Sequence, residues 1–85
     1  MRYITLAPEL AEPFKTALQN HGWQLKGQDA GQAHLVGWGY VMHWSKQEER
    51  IHLHYKEVQG KAEAQLEMTP SAFNEIQAIV DQLHE

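Results

Sequence analysis

The stretch IHLHYKEVQGKAEAQLEM, residues 51–68, decides the fold of this chain. Apolar and polar residues alternate from Ile51 to Tyr55, and they alternate again from Ala62 to Met68. Alternation with a period of two is typical of a β-strand that has one buried face. Gln59 and Gly60 separate the two runs and have the character of a two-residue hairpin turn. The stretch therefore predicts a β-hairpin.

This turn also sets which residues of the two strands face each other. With the turn at 59–60, three apolar residues of one strand lie opposite apolar residues of the other. The three pairs are Tyr55–Ala64, Leu53–Leu66 and Ile51–Met68. For the preceding hairpin, a loop at 47–50 puts Trp44 opposite Leu53 and Met42 opposite Tyr55. One apolar face is then predicted to extend across three strands.

Two further segments have the periodicity of amphipathic helices. The first is expected to begin near Leu10 or Ala11, because Pro13 is tolerated only in a first helical turn. It ends at Gly22, which can adopt the left-handed conformation that closes many helices. The second follows Thr69, an N-cap residue, with a proline in the first helical position. Both helices are predicted to bury one apolar face.

The remaining strands are less regular in sequence. Arg2–Leu6 is rich in β-branched and aromatic residues and predicts a strand. Trp23–Lys26 predicts a second strand, followed by a turn at 28–31. The run 32–45 is β-like throughout, and it is either one bent strand or a tight hairpin.

These elements give the order β-α-β-β-β-β-α. The packing they favour is a two-layer α+β sandwich, with a mainly antiparallel sheet and two helices on one face. At 85 residues, the chain is expected to form a single compact α+β domain over residues 1–85.

Composition restricts the partners and the compartment. Seven Lys and Arg against eleven Asp and Glu give a net charge of −4, which argues against nucleic acid phosphates and anionic membranes. The chain has no cysteine, which favours a reducing compartment. We find neither a signal peptide nor an apolar run long enough to span a membrane. We therefore expect a small, soluble, acidic, cytoplasmic protein.

The predicted registers gather polar side chains on the sheet face away from the helices. They put His43 opposite His54, and His52 opposite both Ser45 and Glu67. Imidazoles and a carboxylate together suit zinc or nickel. His43, His52, His54 and Glu67 are therefore a candidate metal site, and the alternative is a solvated sheet face without a ligand. Apart from this zinc or nickel, we expect no cofactor.

Catalysis has less support in the sequence. Ser45 beside His52, with Glu67 across the strand, offers a nucleophile, a base and an orienting group. A flat sheet face, however, supplies neither a cleft nor an oxyanion hole. We therefore expect a protein that is not an enzyme.

A partner surface is predicted around Trp38. Its neighbours Gly37 and Gly39 suggest a bulge or bend, and they would let another backbone approach closely. Aromatic residues are enriched in binding hot spots. We interpret the chain as a small non-catalytic protein-binding module of regulatory or inhibitor type, whose partner is another protein or a second copy in a homodimer. The alternatives are a metal-binding domain and a single-stranded nucleic-acid binder that stacks bases on the sheet aromatics.

Overall fold

The computed structural model describes the backbone of residues 1–33 and 37–84, and within these ranges the side chains outside 30–38. The order β-α-β-β-β-β-α predicted from the sequence is confirmed. The elements are β1 (Arg2–Leu6), α1 (Ala11–Asn20), β2 (Gln24–Ala33), β3 (Gly37–Lys46), β4 (Glu49–Val58), β5 (Lys61–Met68) and α2 (Phe73–Leu83). A short 3-10 turn precedes each helix, at Pro8–Leu10 and Pro70–Ala72.

The five strands form one antiparallel sheet in the order β1-β5-β4-β3-β2. The last hairpin, β4–β5, is therefore flanked by β1 on one side and β3 on the other. The sheet ends at β1 and at β2, so these two strands are its edges. This arrangement is the predicted α+β architecture.

The β4–β5 hairpin has the register that its sequence predicts. Leu53 lies opposite Leu66, and the apolar pairs on either side of it also match. The turn residues Gln59 and Gly60 have φ angles of 54° and 79°. Positive φ at both central residues is the backbone of the hairpin turn that follows the twist of the strands.

The predicted register of β3 against β4 is wrong by two residues. Trp44 lies opposite Ile51, and Met42 lies opposite Leu53. The cause is a shorter connection, because β3 ends at Lys46 and β4 begins at Glu49. An even shift keeps every side chain on its predicted face, so the apolar face is preserved.

The predicted turn at 28–31 is also wrong, because β2 continues without interruption to Ala33. The run 32–45 thus contains the end of β2 and most of β3, which pair antiparallel. The predicted bend at Gly37 and Gly39 is absent from the described pairing, since β3 keeps one continuous register with β4 there. The irregularity lies between Leu25 and Gly27 on β2.

The core lies between the helices and one face of the sheet. Each helix contributes fully or almost fully buried side chains, such as Phe14 and Leu18 from α1 and Ile76 from α2. Leu53 and Leu66 from the central hairpin are also fully buried. These residues belong to one continuous apolar cluster, so both helices cover the same sheet face.

The predicted end of α1 is confirmed, but α2 begins at Phe73, after a 3-10 turn, and not at Pro70 as predicted. Gly22 follows α1 with a φ angle of 87°, as a left-handed helix stop requires. Thr69 makes no side-chain cap bond to the helix. Its hydroxyl accepts a hydrogen bond from the backbone N–H of Arg50 at 2.9 Å and so ties α2 to the start of β4.

Candidate functional site

The sheet face away from the helices carries a row of polar side chains across four strands. Tyr3 lies opposite Glu67, Glu67 lies opposite His52, and His52 lies opposite His43. His54 belongs to the adjacent row, two residues further along β4. We call this surface the open face.

Three of these residues bring ligand atoms close together. One ligand atom from each of His52, His54 and Glu67 lies within 4.8 Å of the others. Donor atoms bound to one ion at about 2.0–2.2 Å lie within roughly 4.4 Å of each other. Small side-chain rotations therefore suffice to place all three around a single ion.

His43 has a different place from the one predicted. The corrected register puts it opposite His52 and not opposite His54. Its ring packs edge-on against that of His52, with centroids 4.4 Å apart and planes at 83°. His43 therefore lies outside the group of three converging ligand atoms and contacts one of its members.

The surroundings of His52 favour its neutral form. Burial lowers the pKa of His52, and the neighbouring His43 lowers it further, while the carboxylate of Glu67 acts in the opposite direction. The net effect is a pKa below the ordinary value. A neutral imidazole has a free lone pair for a metal, which a protonated ring lacks.

Tyr3 is a member of this cluster that the sequence analysis missed. The charge of the Glu67 carboxylate, together with a hydrogen bond to it, raises the pKa of Tyr3. The phenol thus lies beside a candidate ligand, in the position that outer groups around metal sites commonly take. Finding it requires the pairing of β1 with β5, because only that pairing brings Tyr3 opposite Glu67.

The arrangement of Ser45, His52 and Glu67 as nucleophile, base and orienting group does not form. Ser45 lies opposite Arg50, two residue pairs away from His52 along the ladder. The shift follows from the shorter turn between β3 and β4.

Of the predicted partner surface, the structure describes only part. Gly37 and Trp38 lie in β3, and the side chain of Trp38 falls outside the described residues. Gly39 is intermediate in exposure, and a Cβ placed there would lie 2.5 Å from the backbone oxygen of Tyr55. The lack of a side chain at 39 is therefore required by the close approach of β4.

The aromatic platform for nucleic-acid bases is not open at two of its predicted members. Trp23 and Trp44 are only 3% and 4% exposed. Tyr40 and Tyr55 stack on each other, with centroids 4.9 Å apart, and pack against the core. The two tryptophan rings are therefore part of the core, and the two tyrosine rings pack against it.

Beside the ligand group, the open face forms a broad depression. Its lining includes Thr5, Asp29, Gly39, His54, Lys56 and Glu67. Two of the three converging residues, His54 and Glu67, therefore face both the candidate metal position and the depression.

No family model matches the chain, and neither the curated proteins nor the solved structures contain a match to it. Among the residues that the structure describes, no helix has the length and apolar character needed to cross a membrane.

Proposed function

We propose that this protein binds a divalent transition metal through His52, His54 and Glu67. The observation that carries the proposal is the approach of one ligand atom from each residue to within 4.8 Å of the others. Two of the ligands come from β4 and one from β5. The backbone register of a hairpin thus holds all three on one face.

The donor set favours zinc or nickel. Imidazole nitrogen suits both ions, and one carboxylate oxygen is a common additional ligand. His43 and Tyr3 support the set from outside, the first by packing on His52 and the second by its position opposite Glu67. Supporting groups of this kind orient metal ligands.

Calorimetry with zinc at neutral pH tests this function. The wild type should bind one ion, and His52→Asn and His54→Asn should each weaken binding at least tenfold. His84→Asn, after the end of α2, is the matched control and should bind as the wild type does. Absence of binding heat with the wild type, or equal affinity in all three variants, contradicts the proposal.

The affinity should also depend on pH. A protonated imidazole cannot bind a metal, so binding should weaken below about pH 6. Because the pKa of His52 is lowered, His52 is expected to lose its lone pair at a lower pH than an unperturbed imidazole.

A second function, suggested by the free strand β2, is that of a small regulatory or inhibitory protein-binding module. The strand spans Gln24–Ala33 at the edge of the sheet, and Leu25 on it is 49% exposed. An exposed edge can accept a strand from another protein or from a second copy of the chain. For its location we propose the cytoplasm, in keeping with a chain that has no cysteine.

Pull-down from the native host, with sedimentation to detect self-association, tests the second function. Leu25→Lys and Trp38→Ala should each weaken association, the latter by more than about 1.5 kcal/mol. Gln82→Lys, on the exposed side of α2, should leave it unchanged. Unaltered association in both the Leu25 and the Trp38 variant contradicts this function, and unfolding of Trp38→Ala would assign that ring to the core.

A further inference from the structure

The three converging ligands all approach from one side. His52, His54 and Glu67 belong to a single hairpin, and the opposite side of the ion would face away from the sheet. Zinc takes four ligands in most sites, and nickel takes at least four. A metal held by three protein ligands keeps at least one position open to an external ligand.

We propose that this open position takes the carboxylate of a small chelating acid, which lies in the depression of the open face and extends toward Lys56. This proposal rests on the metal-binding function proposed above. It adds the class of ligand and the direction in which the ligand lies.

The first argument is the position of the depression. His54 and Glu67 line it, so an ion bound to them has its free side next to it. Gly39 also lines the depression, and because glycine has no side chain, nothing projects into the depression at this position. A Cβ here is excluded by the nearby backbone oxygen of Tyr55, which keeps this part of the depression clear.

The second argument is charge. A divalent ion with one carboxylate ligand retains a net positive charge, which attracts an anion. The second cation that lines the depression is Lys56, two residues beyond His54 and therefore about 7 Å further along the same face of β4. Asp29 and Glu63, which are negative, also line the depression. The metal ion and Lys56 therefore determine where the acid groups of a ligand can lie.

Lys56 can be diverted to such a ligand at little cost. Its Nζ lies 3.4 Å from the carboxylate of Glu63, and the two side chains are 65% and 72% exposed. Ion pairs this exposed contribute little to stability. A second carboxylate on the bound acid can therefore replace Glu63 as the partner of Lys56.

Two small acids separate the contribution of the metal ion to ligand binding from the contribution of Lys56. Lactate and malate share a hydroxyl and a carboxylate that chelate a metal, and only malate has a second carboxylate. The protein is loaded with cobalt, whose visible absorption reports its ligands, and each acid is titrated in. Both acids should change the spectrum, and malate should bind at least tenfold more tightly than lactate.

Lys56→Gln should reduce malate affinity to that of lactate and leave lactate binding unchanged. Lys61→Gln, an exposed lysine at the start of β5, is the control and should behave as the wild type. An unchanged cobalt spectrum with both acids, or loss of cobalt from the protein to malate, overturns the proposal while metal binding stands. Equal malate affinity in wild type and Lys56→Gln overturns the role of Lys56. Failure to load cobalt overturns the metal-binding function itself.

Discussion

His52 and Glu67 lie directly opposite each other on β4 and β5, with 3.8 Å between His52 Nδ1 and Glu67 Oε1. The pair attracts as a salt bridge only when the imidazole is protonated. Because the pKa of His52 is lowered, the ring is neutral at pH 7 and stands beside a charged carboxylate. Such a pair offers two atoms that could bind a metal, and it gains little as an ion pair.

Replacement of a central core residue tests the buried face. Leu53→Ala should destabilise the fold by about 2–5 kcal/mol, because Leu53 is fully buried between β4 and the helices. Phe73 is only partly buried at the start of α2, so Phe73→Ala should cost less. Chemical denaturation measures both, and a loss below about 1 kcal/mol for Leu53→Ala contradicts the assignment of the core face.

Two glycines of neighbouring strands form a matched pair. Gly39→Ala should destabilise by roughly 1–3 kcal/mol, because the new Cβ would lie 2.5 Å from the Tyr55 backbone oxygen. Gly27→Ala should have a much smaller effect, because its Cβ would meet only the His43 ring at 3.6 Å. Thermal unfolding of both variants decides, and equal stabilities would show that β3 and β4 are further apart at this point.

The turn between β4 and β5 can be improved. Gln59 has a φ of 54°, which asparagine adopts more readily than glutamine. Gln59→Asn should therefore stabilise the protein by roughly 0.5 kcal/mol. Gln65→Asn, within β5, is the control and should not stabilise. A destabilised Gln59→Asn variant would contradict the assigned turn.

Glu75 should make stability depend on acid pH. Burial raises its pKa, but the Lys46 ammonium at 2.8 Å and the Trp23 indole N–H at 3.1 Å outweigh burial. The net pKa is therefore below its ordinary value of 4.5. A carboxylate with a lowered pKa stabilises the fold above pH 4.5, and this contribution is lost as the pH falls through the folded-state value.

Glu75→Gln should accordingly lower stability at pH 7, by roughly 0.5–1 kcal/mol given that the pair is about one third exposed. The difference from the wild type should shrink below pH 4. Glu12→Gln, whose ion-pair partner is Lys15 on α1, is the control and should change stability less, because Glu12 is 80% exposed. A constant difference between wild type and Glu75→Gln from pH 7 to pH 3 would contradict this origin.

The sequence predicts a register well where the turn leaves little choice. Around Gln59-Gly60, alternation and turn length agree, and the predicted pairs are confirmed. Between β3 and β4, a loop of two residues and a loop of four place each side chain on the same face of the sheet. The apolar pattern therefore does not distinguish the two loop lengths. The actual turn has Gln47 at a φ of 57°, which its sequence does not favour.

Local sequence patterns also did not predict the length of β2. Its residues include Gly27, Gln28 and Gly31, which have low strand propensity. The pairing of β2 with β3 along the strand, and not local propensity, determines the conformation of these residues.

The candidate site followed from face alternation and from the β4–β5 register, which is correct, so His52, His54 and Glu67 were identified despite the wrong β3 register. The relation of His43 to His52 needed the correct register, and Tyr3 needed the position of β1 beside β5. Contacts between distant strands depend on strand order, which periodicity does not reveal.

Imidazole nitrogen resonances, followed by NMR during zinc titration, test the metal site most directly. Each histidine reports whether its own ring has bound the ion. We predict large shifts of the His52 and His54 nitrogen resonances with one equivalent of zinc, a smaller shift for His43, and none for His21 or His84. Unchanged His52 and His54 resonances, or shifts at His21 and His84 as large as those at His52 and His54, would contradict this assignment.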